Sequence, residues 1–262
     1  MADDPGLVDT FLTEVEGILL PIVESGGDRL SGRHRLVSKY RHEAAAWREG
    51  KVPHVRGIAE AVNELCIARR ILEDLSVARA EYEPALTGTA KTIDFLVHPN
   101  IGEPARLFYD VKTVHPEAGD GWALYERATA QGWLRGLNLD PGFMGPEIAH
   151  EKFAARARFV EHTVALEAKI RGMADRDGCY FRMVFCGDGF QWHRDELEDF
   201  ADTYDTGRSA WDHLAAMQEH YLAENGWALE RSIHGFCLMR RPTPAVQELE
   251  FAHDVRGPSS VM

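Results

Sequence analysis

Three ionic side chains interrupt two apolar segments of the chain that have the character of neighbouring strands. Asp94 lies in the segment TIDFLV, and Asp110 and Lys112 lie in the segment YDVKT, which follows after a short turn. An uncompensated charge in a sheet costs free energy, so these groups need either one another or a ligand. They are therefore the strongest candidates for chemistry in this sequence.

The register of the two strands decides whether the three groups meet. We predict strands at 92–98 and 107–114, in which Asp110 and Lys112 share a face because side chains alternate along a strand. If Asp94 lies opposite either of them in an antiparallel pair, all three side chains gather on one face. A shift of one residue would distribute them over both faces. The cost of burying separate charges favours the gathered arrangement.

Gathered in this way, the three groups would form a site for a small hard cation. Two carboxylates a few ångströms apart repel, and a proton or a cation between them relieves the repulsion. Mg²⁺ selects oxygen ligands of this kind, with Mn²⁺ as its expected substitute. The lysine could hold or deprotonate an attacking water, or neutralise charge that develops on phosphorus. This combination predicts metal-dependent hydrolysis of phosphodiesters. The alternative is an Asp110–Lys112 ion pair in an unrelated α/β enzyme, which leaves Asp94 without a role.

A further carboxylate comes from the helix that we predict at 53–75. On a helical wheel Glu64 borders the apolar stripe, whereas Glu60 lies on the opposite, polar side. Glu64 is therefore either a surface residue at the edge of the stripe or a functional carboxylate that points inward. Arg69 also falls on the apolar stripe, so a buried pair of Glu64 with Arg69 is a competing explanation.

Glu64 on a helix, TIDFLV on one strand and YDVKT on the next resemble the PD-(D/E)XK nuclease superfamily. The resemblance covers roughly residues 55–190 and departs from the family motif at Ile93, where the motif has proline. It implies the restriction-endonuclease-like fold, an α/β architecture with a mixed central sheet flanked by helices. The core order would be helix, strand, strand, helix, strand (αββαβ), with N-terminal helices and C-terminal helical additions.

The resemblance also implies roles for individual residues. Asp94 and Asp110 would be the metal ligands, with the backbone carbonyl of Val111 as a third ligand. Lys112 would be the catalytic lysine. Glu64 would be the carboxylate that many family members add from the helix.

Other predicted elements surround this core. An N-terminal helical segment is predicted at 1–52, with helices at 6–24 and 32–49, and the nuclease-like domain at 53–262. Within that domain we predict an irregular insertion at 115–146, a helix at 147–173, a strand at 179–189, acidic helices within 190–230 and a strand at 232–241. The segment and the domain are expected to form one compact unit. The pieces outside the core would supply target recognition or the contacts of a homodimer.

Charge is distributed unevenly along the chain. The net charge of −13 gives no long-range attraction to phosphate. Residues 28–56 nevertheless carry eight Lys and Arg against three acidic residues, whereas residues 187–230 carry eleven acidic residues against two Arg. The residues predicted to bind nucleic acid are Arg33, Arg35, Lys39, Arg41 and, by the resemblance, Lys169, near which similar proteins hold the substrate phosphate. The alternatives are a solvated helical face for the basic stretch and a surface position for Lys169.

Bulk features exclude several other classes of protein. The four cysteines have no CxxC or zinc-finger spacing, so we predict buried free thiols in a reducing compartment. The apolar run GILLPIV is too short to span a bilayer, and the first residues are acidic where a secretion signal would be basic. The sequence predicts a cytoplasmic, Mg²⁺-dependent DNA endonuclease of the restriction or defence type. Two alternatives stay open: a non-catalytic module of this fold that binds nucleic acid or protein, and a nuclease that cleaves RNA.

Overall fold

The computed structural model of the protein describes most of its N-terminal half and several later segments. The described residues are 5–52, 55–100, 106–114, 130, 145–146, 162, 165–187, 235–240 and 250–256, the last two ranges by their backbone. Nearly all of the predicted insertion at 115–146, the predicted acidic helices within 190–230 and most of the predicted helix at 147–173 lie outside these residues.

The N-terminal part is helical. Its elements are α1 (Pro5–Glu14), a π-helical turn (Val15–Leu19), α2 (Leu20–Ser25), a 3₁₀ turn (Gly27–Arg29), α3 (Arg33–Arg48) and α4 (Arg56–Glu73). The predicted helices at 6–24, 32–49 and 53–75 are confirmed. The chain passes Pro21 without a break because this proline lies in the first turn of α2, where its missing N–H leaves no gap in the hydrogen bonding.

Helix α4 is buried on more of its circumference than its apolar stripe predicts. Twelve of its residues are buried, among them the polar Asn63 and Glu64. Residues of α1, α2 and α3 share one hydrophobic core with α4 and with strand residues such as Phe95 and Val111. A helix with this much buried surface needs apolar partners on opposite sides, and α4 finds them in the N-terminal helices and the sheet. The core therefore crosses the predicted boundary between the N-terminal segment and the rest of the chain.

Seven strands form one mixed sheet in the described part of the chain, and they lie side by side in chain order. They are β1 (Leu30–Ser31), β2 (Val77–Tyr82), β3 (Phe95–Pro99), β4 (Arg106–Val114), β5 (Cys179–Gly187), β6 (Gly235–Arg240) and β7 (Glu250–Arg256). The pairs β1–β2, β4–β5 and β5–β6 are parallel, and the other three pairs are antiparallel. The α/β class with a mixed sheet is confirmed, as are the strands predicted at 92–98, 107–114, 179–189 and 232–241.

The predicted order of helix, strand, strand is wrong at one place. Strand β2 intervenes between α4 and β3, and β1 and β7 were not predicted either. In β2 the sequence VARAEY buries Val77, Ala80 and Tyr82, so it lacks the simple alternation of a half-buried strand. It is a strand because β1 and β3 pair with its two edges.

Helices cover both faces of the sheet. Side chains of Val97, Val111 and Val184 belong to the core shared with α1–α4. Phe108 and Phe181 stack on the opposite face, with ring centroids 5.1 Å apart. Residues 165–172 are helical and lie over this second face. Their Lys169 contacts Asp110, which is two residues from Phe108 along β4 and therefore on the same face.

The described residues also bear on the cysteines and on membrane-spanning helices. Cys66, Cys179 and Cys186 are free and buried, which confirms the prediction for these three thiols. Among the helices that the structure describes, none combines the length and the apolar character needed to cross a membrane.

Candidate active site

Asp94, Asp110 and Lys112 come together on one face of the sheet. Strands β3 and β4 pair with Phe95 opposite Tyr109, and one further step along this register brings Asp94 level with Asp110. The Lys112 Nζ atom lies 3.0 Å from Asp110 Oδ2 and 3.5 Å from Asp94 Oδ2. The gathered arrangement predicted from the sequence is therefore confirmed.

Both the backbone and the side chain of Asp94 are held in place. The residue lies in a bend directly before β3, and its Oδ2 accepts a hydrogen bond of 2.5 Å from the Val111 N–H. Its carbonyl accepts a hydrogen bond of 2.8 Å from the Glu83 N–H. Glu83 has a φ of 47°, a left-handed conformation that is uncommon outside glycine. Arg35 stabilises this turn by donating to the carbonyls of Tyr82 and Glu83.

Asp110 is fully buried between two lysines. Lys169 Nζ donates to its Oδ1 at 2.7 Å, and Lys112 Nζ lies 3.0 Å from its Oδ2. The side chains of both lysines are only 18% exposed. The alternative of a surface position for Lys169 is wrong, because the helix at 165–172 directs this lysine onto the sheet.

Glu64 belongs to α4, which packs on the other face of the sheet, and its side chain is 8% exposed. Its Oε1 accepts a hydrogen bond of 2.7 Å from Lys39 Nζ, and its Oε2 accepts one of 2.7 Å from the Tyr82 hydroxyl. The competing pair with Arg69 is wrong, since Arg69 instead pairs with Glu73. Glu60 pairs with Arg56 near the surface, so the inward-pointing carboxylate of α4 is Glu64.

Burial and neighbouring charge shift the protonation of the site. Burial, together with the charges of Asp110 and Glu64, raises the pKa of Asp94 to about 7, although Lys112 opposes the shift. Burial alone would lower the pKa of Lys112, but Asp94 and Asp110 outweigh it and raise this pKa above its ordinary value. Burial likewise lowers the pKa of Lys39, but the neighbouring Glu64 outweighs it, so the pKa of Lys39 lies above its ordinary value. Lys39 and Lys112 are therefore held as ammonium ions.

The raised pKa of Asp94 predicts a pH-dependent stability. Between its ordinary pKa of 3.8 and about 7, the folded protein keeps a proton on Asp94 that the unfolded chain has lost. The free energy of unfolding should thus fall as pH rises through this window, by on the order of 4 kcal/mol for this group. Urea unfolding of the wild type and of Asp94→Asn across the window measures it. We expect the stability of Asp94→Asn relative to the wild type to increase with pH, and a constant difference would contradict the prediction.

All five residues predicted to bind nucleic acid have partners within the protein. Arg33 donates to the carbonyls of Glu24 and Gly27, and Arg41 pairs with the Glu24 carboxylate. The partners of Arg35, Lys39 and Lys169 are given above. Arg35 and Arg41 remain exposed, whereas Arg33, Lys39 and Lys169 are partly buried.

The oxygen atoms predicted as metal ligands converge on one point. Lys112 Nζ lies within 3.5 Å of Asp94 Oδ2 and Asp110 Oδ2, and it donates to the carbonyl of Val111 at 3.0 Å. Asp110 Oδ2 is buried and accepts no hydrogen bond from a described residue. No group of three or more His, Cys, Asp and Glu side chains within the described ranges could hold an ion. Two carboxylates and a carbonyl nevertheless form a donor set that fits Mg²⁺, which completes its coordination with water and substrate oxygens.

Sequence reasoning missed two residues that position the site. Tyr82 escaped because its strand, β2, was not predicted. Asn63, fully buried on α4, donates to Thr113 Oγ1 at 2.8 Å and to the Gly187 carbonyl at 3.0 Å, and so ties α4 to the ends of β4 and β5. Its position next to Glu64 on a buried helix was the only signal available in the sequence.

Comparison with known proteins found no relative from which the roles of these residues could be inferred. No family model matches the chain, and it matches neither a curated protein nor a solved structure.

Proposed function

We propose that the protein is a metal-dependent nuclease that hydrolyses phosphodiester bonds, and that its substrate is DNA. The observation that carries the proposal is the convergence of Asp94, Asp110 and the Val111 carbonyl on the ammonium group of Lys112. An ordinary ion pair joins one carboxylate to one lysine. Here a second carboxylate, Asp94, and the Val111 carbonyl meet the same ammonium group. We assign the restriction-endonuclease-like fold as part of this proposal, supported by the two strands and the helix that carry these residues.

In this proposal Asp94, Asp110 and the Val111 carbonyl hold Mg²⁺ or Mn²⁺. The bound ion would supply Lewis-acid polarisation of a phosphoryl oxygen and would lower the pKa of a water molecule. Lys112 contributes a positive charge beside the reacting phosphate. That charge stabilises the negative charge that develops on the phosphoryl oxygens in the transition state.

Glu64 acts on the site from a short distance. It makes no hydrogen bond or ion pair with Asp94, Asp110 or Lys112, but its charge contributes to the raised pKa of Asp94. Lys39 and Tyr82 hold both of its oxygens, so its carboxylate has a set orientation. We assign Glu64 the role of an electrostatic partner of the cation site, and Lys39 that of its counter-ion.

A non-catalytic module that binds nucleic acid or protein is the second candidate. Lys112 and Lys169 already neutralise Asp94 and Asp110, and such an arrangement also suits a structural role. The net charge of −13 favours this candidate too, because it opposes the approach of a polyanion.

A cleavage assay distinguishes the candidates. Supercoiled plasmid and total RNA are each incubated with the wild type in Mg²⁺, in Mn²⁺ and in EDTA, with Asp94→Asn as the matched variant. We expect plasmid cleavage that requires the ion and is lost in Asp94→Asn. Cleavage of RNA alone would replace DNA by RNA as the substrate. If the wild type cleaves neither polymer and gives no heat of Mn²⁺ binding in calorimetry, the non-catalytic candidate is supported instead.

A further inference from the structure

Asp110 carries a lysine on each of its two carboxylate oxygens. Lys112 faces Oδ2 at 3.0 Å and also contacts the other two predicted ligand oxygens, so its ammonium group lies at the point where those oxygens converge. Lys169 donates to Asp110 Oδ1 at 2.7 Å, and it makes no hydrogen bond with Asp94 or Val111. The two lysines therefore differ in their contacts: Lys112 meets all three predicted ligand oxygens, whereas Lys169 holds only the other oxygen of Asp110.

When its three carboxylates are ionised, the cluster of Asp94, Asp110, Glu64 and the three lysines is electrically neutral. Asp94 and Asp110 are balanced by Lys112 and Lys169, and Glu64 is balanced by Lys39. A divalent cation is attracted to a site in proportion to its net negative charge. Three carboxylates without internal counter-ions would attract such a cation strongly, but these three are already compensated.

We propose that Lys169 is an internal counter-ion that lowers the affinity of the free protein for its divalent cation until a nucleic acid binds. A phosphate group of the backbone would pair with the Lys169 ammonium group in place of Asp110. Asp110 would then keep Lys112 as its counter-ion, and its negative charge would be less compensated toward the cation. The long, flexible stem of lysine permits this exchange, and 18% of the Lys169 side chain is exposed. Cation and nucleic acid then strengthen each other's binding, and by linkage the coupling is the same in both directions. This inference rests on the proposed function and adds a regulation of the same site.

Calorimetric titration with Mn²⁺ tests the inference without relying on cleavage. The proteins are the wild type, Lys169→Met and Lys169→Gln, which keeps a hydrogen-bond donor near Asp110 while it removes the charge. Lys51→Met is the matched control, since it removes one positive charge from a side chain that is 70% exposed. Each protein is titrated alone and with a short DNA duplex that carries uncleavable phosphorothioate linkages.

We expect both Lys169 variants to bind Mn²⁺ roughly 10-fold more tightly than the wild type in the absence of DNA, a coupling of the usual size between two sites. The duplex should tighten Mn²⁺ binding in the wild type and in Lys51→Met by a similar factor, and should change it little in the Lys169 variants. Equal or weaker Mn²⁺ binding by Lys169→Gln overturns the inference, and if the wild type still cleaves DNA the proposed function survives. An absence of Mn²⁺ binding in every protein, with and without DNA, overturns both.

Discussion

Replacement of Lys112 by methionine should reduce DNA cleavage by about 10²–10³-fold, the usual loss when one charge-stabilising group is removed from an active site. The physical reason is the position of its ammonium group, which lies within 3.5 Å of both carboxylates and binds the Val111 carbonyl. Methionine preserves most of the stem but removes the charge. We expect Mn²⁺ binding to persist in Lys112→Met, because the ligand oxygens remain and a competing cation has left.

The control for this experiment is Lys51→Met, which changes the net charge equally at an exposed position and should leave the cleavage rate within a factor of about two. Rates are measured on plasmid under saturating Mg²⁺, so that a change in metal affinity does not enter. Equal rates for Lys112→Met and the wild type would exclude the proposed role of Lys112. A loss of Mn²⁺ binding together with cleavage would make Lys112 a structural residue.

Replacement of Asp110 by alanine should cost about 3–5 kcal/mol of the free energy of unfolding, the usual result when one partner of a buried ion pair is removed. Asp110 is fully buried, and its removal leaves Lys169 without its carboxylate partner and Lys112 with Asp94 as its remaining one. Equilibrium unfolding in urea measures the loss. Asp110→Ala should also abolish Mn²⁺ binding, because one of the two carboxylate ligands has gone.

Two further variants test the cause of this destabilisation. Asp175→Ala removes the partner of Arg106 from a solvent-exposed ion pair and should cost less than about 1 kcal/mol. The double variant Asp110→Ala with Lys169→Met should be more stable than Asp110→Ala alone, since it removes the charge that has lost its carboxylate partner. If Asp110→Ala costs no more than Asp175→Ala, the cluster of charges does not contribute to stability in the way that its burial indicates.

The internal pairing of basic side chains changes how the stretch at 28–56 is understood. From composition alone this stretch has the charge of a surface that binds phosphate. In the folded protein Lys39 pairs with Glu64, and Arg35 stabilises the turn at Glu83, whose N–H binds the Asp94 carbonyl. Part of the positive charge of this stretch therefore helps to position the site. Arg41 remains exposed for contact with nucleic acid, although Glu24 lies beside it.

Local sequence patterns were enough to predict the centre of the site. Alternation in β4 placed Asp110 and Lys112 on one face, because side-chain direction along a strand has a period of two residues. The cost of burying separate charges favoured the register that brings Asp94 to the same face. The period of an α-helix placed Glu64 at the edge of the apolar stripe and Glu60 on the polar side, and the packing of α4 decided that Glu64 points inward. The two periodicities depend only on residues close together in the chain.

Tertiary structure alone decided the partners of these groups. Lys39 reaches Glu64 across 25 residues of sequence, and Lys169 reaches Asp110 across 59. Strand β2, which supplies Tyr82, is a strand because its neighbours β1 and β3 pair with its edges rather than because of its own residues. Backbone geometry is local and can be deduced from periodicity. The partner of a long, flexible, charged side chain is whichever opposite charge the packing brings within reach, and no local pattern contains that information.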